Sequence, residues 1–231
     1  MASLHELWPP AGVAVRTQRL VLRWPSDDDL VALAEVAAEG VHDESDMPFL
    51  NPWTRGAPAE VARNVLRWHW RQRAAWEPTG WEWPAVAVVD DTVVGMQAME
   101  ATDFGIGRTV ATGSWLGRAH QGRGLGKEMR AAVLHLAFAG LGAQRAETAA
   151  FADNSASLAV TCATGYRPNG ERVTVAEGRS RRELHFVLDR RTWLARQRDD
   201  IELSGVAEAR AQFGLVDDPS PPDAKAIVLS G

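Results

Sequence analysis

Apolar and polar positions alternate along this chain with two different periods, and the change of period divides the sequence into strands and helices. Alternation at every second position, or a short apolar run between turn residues, predicts strands at residues 19–24, 85–89, 93–99, 109–116, 144–151, 172–176 and 183–188. Apolar residues three and four apart predict helices from Ser26 to Gly40, over 59–76, from about 125 to 141 and over 154–164. This order of elements predicts an α+β protein built on a mixed, mostly antiparallel sheet.

Turn-forming residues mark the connections between these elements. Asp90-Asp91-Thr92 predicts a tight hairpin turn, and Glu177-Gly178-Arg179-Ser180 predicts another. Pro48 and Pro52 prevent a continuous helix over residues 41–56, so we expect a long loop there.

The chain length of 231 residues is enough for one domain or two. The pattern of elements places a single domain at residues 15–190, after an N-terminal extension over 1–14. Residues 191–216 are expected to pack on this domain as a C-terminal extension. The proline-rich residues 217–231 are expected to form a flexible tail.

Composition excludes several classes of protein. No run of about 20 apolar residues is present, so we expect no membrane span. The first residues lack the pattern of a secretory signal, so we expect a cytoplasmic protein. The one cysteine cannot form an internal disulfide, and the six histidines show no metal-binding spacing, so we expect no metal. The formal net charge of −5 argues against a general nucleic-acid binder, although it leaves room for a local basic site.

Ten tryptophans are unusual for a chain of this length, and five of them lie between residues 68 and 83. Their large amphipathic rings suit a protein core, which is our first interpretation. The alternative is an aromatic wall for a ligand or a partner subunit.

A glycine-rich turn over residues 121–127, QGRGLGK, follows a predicted strand and precedes a predicted helix. Free N–H groups at the start of a helix, with glycines beside them, suit the close approach of a phosphate. The spacing matches neither a Walker A loop nor a dinucleotide-binding fingerprint, because Gln121 and Lys127 occupy positions where those motifs require glycine. Residues 118–130 hold four basic residues against one glutamate, a charge of +3, which favours an anion site over a solvated helix start.

This turn carries a resemblance to a known family. The motif Q-x-x-G-x-G at 121–126 resembles the acyl-CoA loop of the GNAT (GCN5-related) N-acetyltransferases. Residues 114–117, SWLG, are similar to the end of that family's fourth strand, which splays from its neighbour. The pair N-x-x-S at 154–157 and G-Y at 165–166 resembles a later signature of the RimJ/RimL-like branch, which comprises ribosomal-protein alanine N-acetyltransferases. The resemblance covers about residues 16–190 and implies the GNAT fold, a mixed, mostly antiparallel, twisted sheet with a splayed central strand pair and flanking helices.

By this resemblance, acetyl-CoA or another acyl-CoA is the cosubstrate. Its pyrophosphate is expected on the N–H groups of residues 122–127 and its 3′-phosphate near Arg118 or Arg123. Its pantetheine arm is expected along the strand edge at 115–117, where a backbone N–H would also polarise the thioester carbonyl. The residues expected to bind it are Trp115, Leu116, Gly117, Gln121, Gly122, Arg123, Gly124, Leu125, Gly126, Lys127, Asn154 and Ser157.

Transfer of an acyl group to an amine requires a base for the attacking ammonium group and a proton source for the departing thiolate. The candidate bases are Glu100 and Asp103, at the end of one predicted strand, with Glu147 as another; solvated turn residues are the alternative interpretation. Many members of the family that this chain resembles carry a tyrosine acid where Thr161 stands here. In the RimJ/RimL-like branch the resemblance instead gives this role to the serine of N-x-x-S, here Ser157. The alternative is a helix serine that bonds to its own backbone.

The predicted loop over 41–56 lies beside the acyl end of the cofactor channel in that family. It holds three acidic residues against Arg55, a charge of −2, which is opposite in sign to the glycine-rich turn and suits a cationic amine. Apolar side chains add binding surface, and a solvated loop with anchoring aromatics is the alternative. The residues expected to bind the acceptor are His42, Asp43, Asp46, Phe49, Trp53 and Arg55. This loop and the C-terminal tail also resemble, more loosely, a subset of actinobacterial GNAT acyltransferases.

The leading hypothesis is therefore an acyl-CoA-dependent N-acyltransferase that moves an acetyl or succinyl group to a primary amine by direct attack. A succinyl group would need a cation at its tip, for which Arg55 is one candidate. The acceptor is a protein N-terminus or a small molecule, and the sequence does not decide between them. A non-catalytic acyl-CoA-binding or scaffold module is the alternative class, and a tRNA-directed acyltransferase is disfavoured by the net charge. A homo-oligomer is compatible with the sequence.

Overall fold

A nine-stranded sheet runs through residues 1–215, the part of the chain that this computed structural model describes. The strands in chain order are β1 (Ala14–Arg16), β2 (Val21–Arg23), β3 (Gly80–Val89), β4 (Thr92–Thr102), β5 (Thr109–Leu116), β6 (Arg145–Phe151), β7 (Arg167–Ala176), β8 (Arg179–Asp189) and β9 (Glu202–Ser204). In space they follow the order β7-β8-β6-β5-β4-β3-β2-β1-β9. Among the described strands, each neighbouring pair is antiparallel except β5 with β6, which is parallel. The prediction of a mixed, mostly antiparallel sheet is confirmed.

Helices cover both faces of the sheet. They are α1 (Leu4–Leu7), α2 (Asp27–Ala38), α3 (Pro58–Ala74), α4 (Phe104–Gly107), α5 (Leu125–His135), α6 (Ser155–Ala163), α7 (Arg190–Leu194) and α8 (Val206–Ala209). α2 begins with a capping box, in which the Ser26 hydroxyl accepts from the Asp29 N–H and the Asp29 carboxylate accepts from the Ser26 N–H. α2 and α3 pack on one face, and α5 packs on the other. A single π-helical turn, Leu136–Gly140, completes the span predicted for α5.

The structure differs from the predicted elements mainly at their ends. β1 and β9, of three residues each, are missing from the prediction, and they pair with each other across almost the whole described chain. β3 and β4 are longer than predicted because they pair along their whole length as one hairpin, with one shift of register between Ala87 and Val88. Asp90 and Asp91 form its turn with positive φ at both residues, 46° and 59°, as a type I′ turn requires. The turn between β7 and β8 is likewise reduced to Glu177 and Gly178.

The tryptophans between residues 68 and 83 mostly belong to the core. Trp76, Trp81 and Trp83 are buried, which confirms the core interpretation for these three. Trp70 is an exception, because 52% of its surface is exposed.

Two of these tryptophans also hold the C-terminal residues. The indole N–H of Trp76 donates to the Gln212 carbonyl at 3.0 Å, and that of Trp81 donates to the Phe213 carbonyl at 3.2 Å. Together with the pairing of β9 and β1, these bonds fasten the segment after β8 to the rest of the molecule. The tail expected at 217–231 lies outside the described residues.

The parallel pair β5 and β6 opens into a gap. The two strands pair at only three positions, which end at Ala111 and Glu147, while β5 continues to pair with β4 as far as Leu116. Beyond Ala111 the strands diverge, so the edge of β5 that faces β6 has no strand partner. The splayed central pair expected from the sequence is therefore confirmed. We call this opening the β5–β6 gap.

Candidate functional site

The glycine-rich turn lies at the end of β5 and leads directly into α5. Gly122 and Gly124 adopt φ angles of 75° and 79°, which glycine accepts without strain, and Gly124 is the N-cap of α5. The backbone N–H groups of Gly122, Gly124, Leu125 and Gly126 have no hydrogen-bond partner within residues 1–215. Free donors at the N-terminus of a helix form a site for an anion such as a phosphate.

A buried carboxylate holds this turn in place. Glu128, in the first turn of α5, accepts hydrogen bonds from the Thr17 hydroxyl at 2.7 Å and from Arg19 Nε at 2.5 Å. Arg19 also donates to the Arg123 carbonyl at 3.1 Å. Burial acts to raise the pKa of Glu128, but these donors outweigh it and hold the pKa below its ordinary value. The turn is thus fixed from beneath, with the side chains of Arg123 and Lys127 exposed at its rim.

Gln121 has a structural part in the same turn. Its Nε2 donates to the Leu116 carbonyl at 2.8 Å and to the Val41 carbonyl at 2.7 Å. The side chain therefore joins the end of β5 to the start of the 41–56 loop. The expectation that Gln121 contacts the cofactor directly stays a prediction.

The direction of the backbone along β5 determines which residues face the β5–β6 gap. The Gly117 N–H bonds to β4, whereas the Thr112 carbonyl accepts from a side chain of β6. The backbone N–H and C=O groups of alternate residues point to opposite edges of a strand. The backbone groups of Ser114 and Leu116 therefore point into the gap, and those of Trp115 point to β4. The edge expected at 115–117 is therefore better described by Ser114 and Leu116.

Gln97 fixes one peptide of this edge. Its side chain is fully buried, and its Nε2 donates to the Gly113 carbonyl at 2.8 Å and to the Ala98 carbonyl at 3.1 Å. The C=O and N–H of one trans peptide point in opposite directions, so holding the Gly113 carbonyl toward β4 aims the Ser114 N–H into the gap. A fixed N–H in this place can donate to an oxygen that gains negative charge.

α6 lies at the mouth of the gap. A Cβ added to Gly126 would lie 3.4 Å from Val160 Cγ2 of α6 and 3.8 Å from Leu116 Cδ1, so α5, α6 and the end of β5 meet there. Asn154 caps α6, because its Oδ1 accepts from the Ser157 N–H at 3.0 Å. The Ser157 side chain is half-buried, and its hydroxyl makes no hydrogen bond to any described residue, contrary to the alternative of a backbone-bonded serine.

Two other hydroxyls near α6, those of Tyr166 and Thr161, are enclosed. The Tyr166 hydroxyl lies 3.1 Å from Thr112 Oγ1, and burial raises the pKa of this phenol above its ordinary value. Thr161, where many family members have the tyrosine acid, is fully buried. Ser157 is thus more accessible than Tyr166 and Thr161, and it is the candidate acid that the N-x-x-S motif implies.

A cavity of about 550 Å³ opens at the closed end of the gap, beside α3. Glutamates from three strands line it: Glu82 from β3, Glu100 from β4 and Glu147 from β6. Glu82 and Glu100 are cross-strand partners, and Ala111 of β5 lies between Glu100 and Glu147 in the sheet register. We refer to this feature as the acidic cavity. Its charge favours a cationic group.

Glu82 is the group in the acidic cavity that is best suited to exchange a proton near neutral pH. It is less exposed than Glu100. Burial, together with the facing carboxylate of Glu100, raises the pKa of Glu82 to about 8. Glu147 differs in having the Arg145 Nε atom 2.9 Å from its Oε1. A base with a pKa near the working pH is the most effective kind.

Asp103 lies apart from this cavity. It occupies the turn between β4 and α4 with a φ of 47°, and its N–H donates to the Thr79 carbonyl at 2.7 Å. It is not among the residues that line the acidic cavity. Of the three predicted bases, Glu100 and Glu147 line the acidic cavity, whereas Asp103 does not.

Charged residues of the 41–56 loop are engaged with other parts of the protein. Asp43 forms an ion pair with Arg118 at 2.8 Å. Arg55 forms one with Glu177 at 2.8 Å, and His42 is hydrogen-bonded within the loop through both ring nitrogens. The expectation that His42, Asp43 and Arg55 bind an acceptor stays a prediction, and in this structure their polar groups contact other residues of the protein. The acidic loop and the basic segment 118–130 are also less separated than expected, because Asp43 of the loop pairs with Arg118 of that segment.

Aromatic residues of the same loop lie beside the end of β6, and their expected part in acceptor binding stays a prediction. Phe49 and Trp53 line a second cavity of about 250 Å³ together with the end of β6. The rings of Trp53 and Trp115 have centroids 5.4 Å apart, so the loop covers the open end of the gap. Asp46 is exposed and lines neither of these two cavities.

Two residues of the site were missed by sequence reasoning. Glu82 stands between Trp81 and Trp83, and a polar residue between two large apolar ones in a strand points to the opposite face. That alternation was an available signal. Gln97 had none, because its role depends on the register of β4 with β5.

An open sheet that splays at a parallel strand pair, with a glycine turn leading into a helix at the end of the gap, defines the GNAT class of folds. The family model of the acetyltransferase (GNAT) domain matches residues 19–167. The chain belongs to this family and is an acyltransferase-class enzyme. The looser resemblance to actinobacterial members stays a prediction.

Solved structures give the same fold. A GCN5-related N-acetyltransferase from Brucella melitensis is similar at 18% identity and a TM-score of 0.61, over 79% of this chain and 80% of that one. The RimL ribosomal L7/L12 α-N-protein acetyltransferase in complex with coenzyme A is similar at 17% identity and a TM-score of 0.60, over 75% of this chain and 95% of that one. The ribosomal-protein-S5-alanine acetyltransferase from Vibrio fischeri is similar at 14% identity and a TM-score of 0.59, over 78% and 98%.

Within residues 1–215, no helix has the length and apolar character needed to cross a membrane. The same residues contain no cluster of three or more histidine, cysteine, aspartate or glutamate side chains that is placed to hold a metal ion.

Proposed function

We propose that the protein transfers an acetyl group from acetyl-CoA to the α-amino group of a protein N-terminus. The observation that carries this proposal is the acidic cavity at the closed end of the β5–β6 gap, where the pKa of Glu82 is about 8. An α-amino group has a pKa of about 7.7–8.0, so its proton transfers to Glu82 at almost no cost. A lysine side chain, with a pKa of about 10.4, would give up its proton to the same base about two orders of magnitude less readily.

The residues around the gap fit acetyl-CoA. The free N–H groups of 122–126 suit the pyrophosphate, and the exposed Arg123 and Lys127 suit the remaining phosphate. The gap-facing backbone of Ser114 and Leu116 suits the pantetheine arm as an added strand. When bound, acetyl-CoA supplies the thioester whose carbonyl carbon the amine attacks.

Three groups of the chain then have separate roles in the transfer. Glu82 accepts one proton from the ammonium group before the attack, which frees the nitrogen lone pair. The neutral amine then attacks the thioester carbon, and its second proton passes to solvent as the amide forms. The Ser114 N–H, held by Gln97, donates to the carbonyl oxygen as it gains charge. Ser157 provides a proton to the sulfur when the C–S bond breaks, and solvent restores it.

Two observations support acetyl over succinyl transfer and a protein over a small acceptor. Arg55, the cation expected at a succinyl tip, is held by Glu177, and three glutamates in the acidic cavity would repel a carboxylate. Two of the similar solved structures, RimL and the S5-alanine enzyme, are named as ribosomal-protein acetyltransferases, which supports a protein N-terminus as the acceptor.

Initial rates of thiol release with matched peptides test this proposal. One peptide has a free N-terminus and no lysine, and the second has an acetylated N-terminus and one lysine. We expect turnover with acetyl-CoA and the first peptide, and much slower turnover with the second or with succinyl-CoA. Faster turnover on the lysine peptide, or no turnover on any free N-terminus, would contradict the proposal.

A further inference from the structure

The exposed face of α3 carries a row of arginines that the transfer site does not use. Arg63, Arg67 and Arg71 follow one another at intervals of four residues, and Trp70 lies within the row. With 3.6 residues per turn, these four positions fall within an arc of about 100°. That arc is opposite Val61, the first buried residue of the helix. We call these four residues the α3 arginine row.

The charges of this row are not neutralised by the fold. All three arginines are exposed, and none makes an ion pair or a hydrogen bond within residues 1–215. Arg73 of the same helix is different, because it pairs with Asp27 at 2.8 Å. Like charges four residues apart destabilise a helix, and no contact among the described residues offsets this repulsion between the arginines.

Trp70 adds a second property to the row. Its side chain is 52% exposed and makes no ring contact with any described residue, whereas the other tryptophans of its segment pack into the protein. A flat exposed indole between guanidinium groups is a platform on which a nucleobase can stack.

We propose that the α3 arginine row binds single-stranded RNA. Consecutive arginines of the row are about 6 Å apart along the helix axis, and this regular spacing suits the regular phosphates of a nucleic-acid backbone. Trp70 stacks on one base between the phosphate contacts. An acidic peptide would also neutralise the arginines, but it has no flat partner for the indole. The net charge of −5 is no obstacle, because salt screens charges that lie farther away than about 8 Å.

The α3 arginine row lies close to the acidic cavity, so RNA binding there bears on how an acceptor reaches the cavity. Gln72, next to Arg71 on α3, lines the acidic cavity. RNA held on the row would therefore keep an RNA-associated protein beside the cavity. This last step rests on the proposed function, whereas the binding itself does not.

Fluorescence anisotropy of a labelled oligouridine tests the binding without any turnover. We expect the full-length protein to bind it with an affinity that falls as salt rises. Arg67→Gln and Arg71→Gln should each reduce the slope of log affinity against log salt by about 0.7. Trp70→Ala should weaken binding about 5- to 100-fold with little change of slope. Arg191→Gln, at an exposed arginine of α7 with no ion pair in residues 1–215, is the matched control and should bind like the native protein.

The outcomes separate this inference from the proposed function. Far-ultraviolet circular dichroism checks that each variant is folded, and acetylation of a short free peptide should be unchanged in all of them. No oligouridine binding at low salt, or equal binding by the Arg67→Gln and Arg191→Gln variants, would overturn the inference. Displacement of the RNA by polyglutamate at equal charge concentration would overturn it too, and would reassign the row to an acidic protein.

Discussion

Replacing Glu82 by glutamine should abolish the rise of activity with pH that the native protein is expected to show. With a pKa of about 8, roughly one-tenth of Glu82 is ionised at pH 7 and roughly nine-tenths at pH 9. If the ionised form is the base, the fraction of protein able to accept the proton rises about tenfold over this interval. The loss of the ammonium form of the acceptor is superimposed on this rise above about pH 8, equally for every variant. Loss of a general base typically lowers kcat by about 10²–10⁴-fold, and Glu82→Gln should fall in that range.

Glu100→Gln provides the matched control at the cross-strand position. The charge of Glu100 contributes to the raised pKa of Glu82, and glutamine removes the charge with little change of shape. The rise in kcat/KM should therefore move to lower pH. This variant should exceed the native protein at pH 6.5 and should be no more active at pH 9.

Initial rates of thiol release at subsaturating acceptor, measured from pH 6 to 9.5, give these profiles. The acceptor amine also titrates near pH 8, but its titration is the same for all three proteins. A shift between native and Glu100→Gln profiles therefore reports on the protein. The reasoning is refuted if all three profiles rise with one midpoint, or if Glu82→Gln retains native activity.

Three further predictions concern cofactor binding, acid catalysis and stability. Gly124→Val should weaken CoA binding at least tenfold while the protein stays folded, because a left-handed φ costs a branched residue about 1–2 kcal/mol and the side chain covers the free N–H groups. Calorimetry measures the Kd for CoA, and an unchanged Kd would show that the turn is not part of the site. Ser157→Ala should lower kcat about tenfold and leave the Kd for CoA within a few-fold, and an unaltered kcat would retire Ser157 as the acid. Burial, with Arg73 nearby, lowers the pKa of His69 to about 3, so the unfolded imidazole binds a proton below pH 6.5 and the folded one does not. The free energy of unfolding, measured with urea, should therefore fall by about 2 kcal/mol between pH 7 and pH 5. The fall should be smaller in the His69→Leu variant, and equal falls in the two proteins would contradict this.

Much of the fold follows from local pattern alone. The turn at Asp90 and Asp91 was predictable, because residues with short polar side chains tolerate positive φ between two apolar runs. The three-residue strand β9 was not, since its place in the sheet depends on pairing with β1 at the far end of the chain. The pattern of apolar and polar residues predicts elements that are long enough for the pattern to repeat. Shorter elements depend on pairing with residues far away in the sequence.

The candidate site divides in the same way. The glycine-rich turn was predictable, because its left-handed angles and free N–H groups belong to consecutive residues. The acidic cavity was not, because Glu82, Glu100 and Glu147 meet only through the register of four strands. The contacts of the 41–56 loop were not predictable for a related reason. Its charge was read correctly, but the partners of Asp43 and Arg55 lie elsewhere in the sequence.

The pairing of β1 with β9 has a consequence for the synthesis of the protein. Ala14 pairs with Ser204, so the outer edge of β1 is covered by residues that the ribosome adds much later. At a synthesis rate of about 5–20 residues per second, that edge waits uncovered for about 10–40 s after it emerges. An uncovered strand edge is a template for pairing with other nascent chains. β1 has only three residues, so another nascent chain can form few hydrogen bonds with its edge. This short length limits mispairing until β9 has been synthesised.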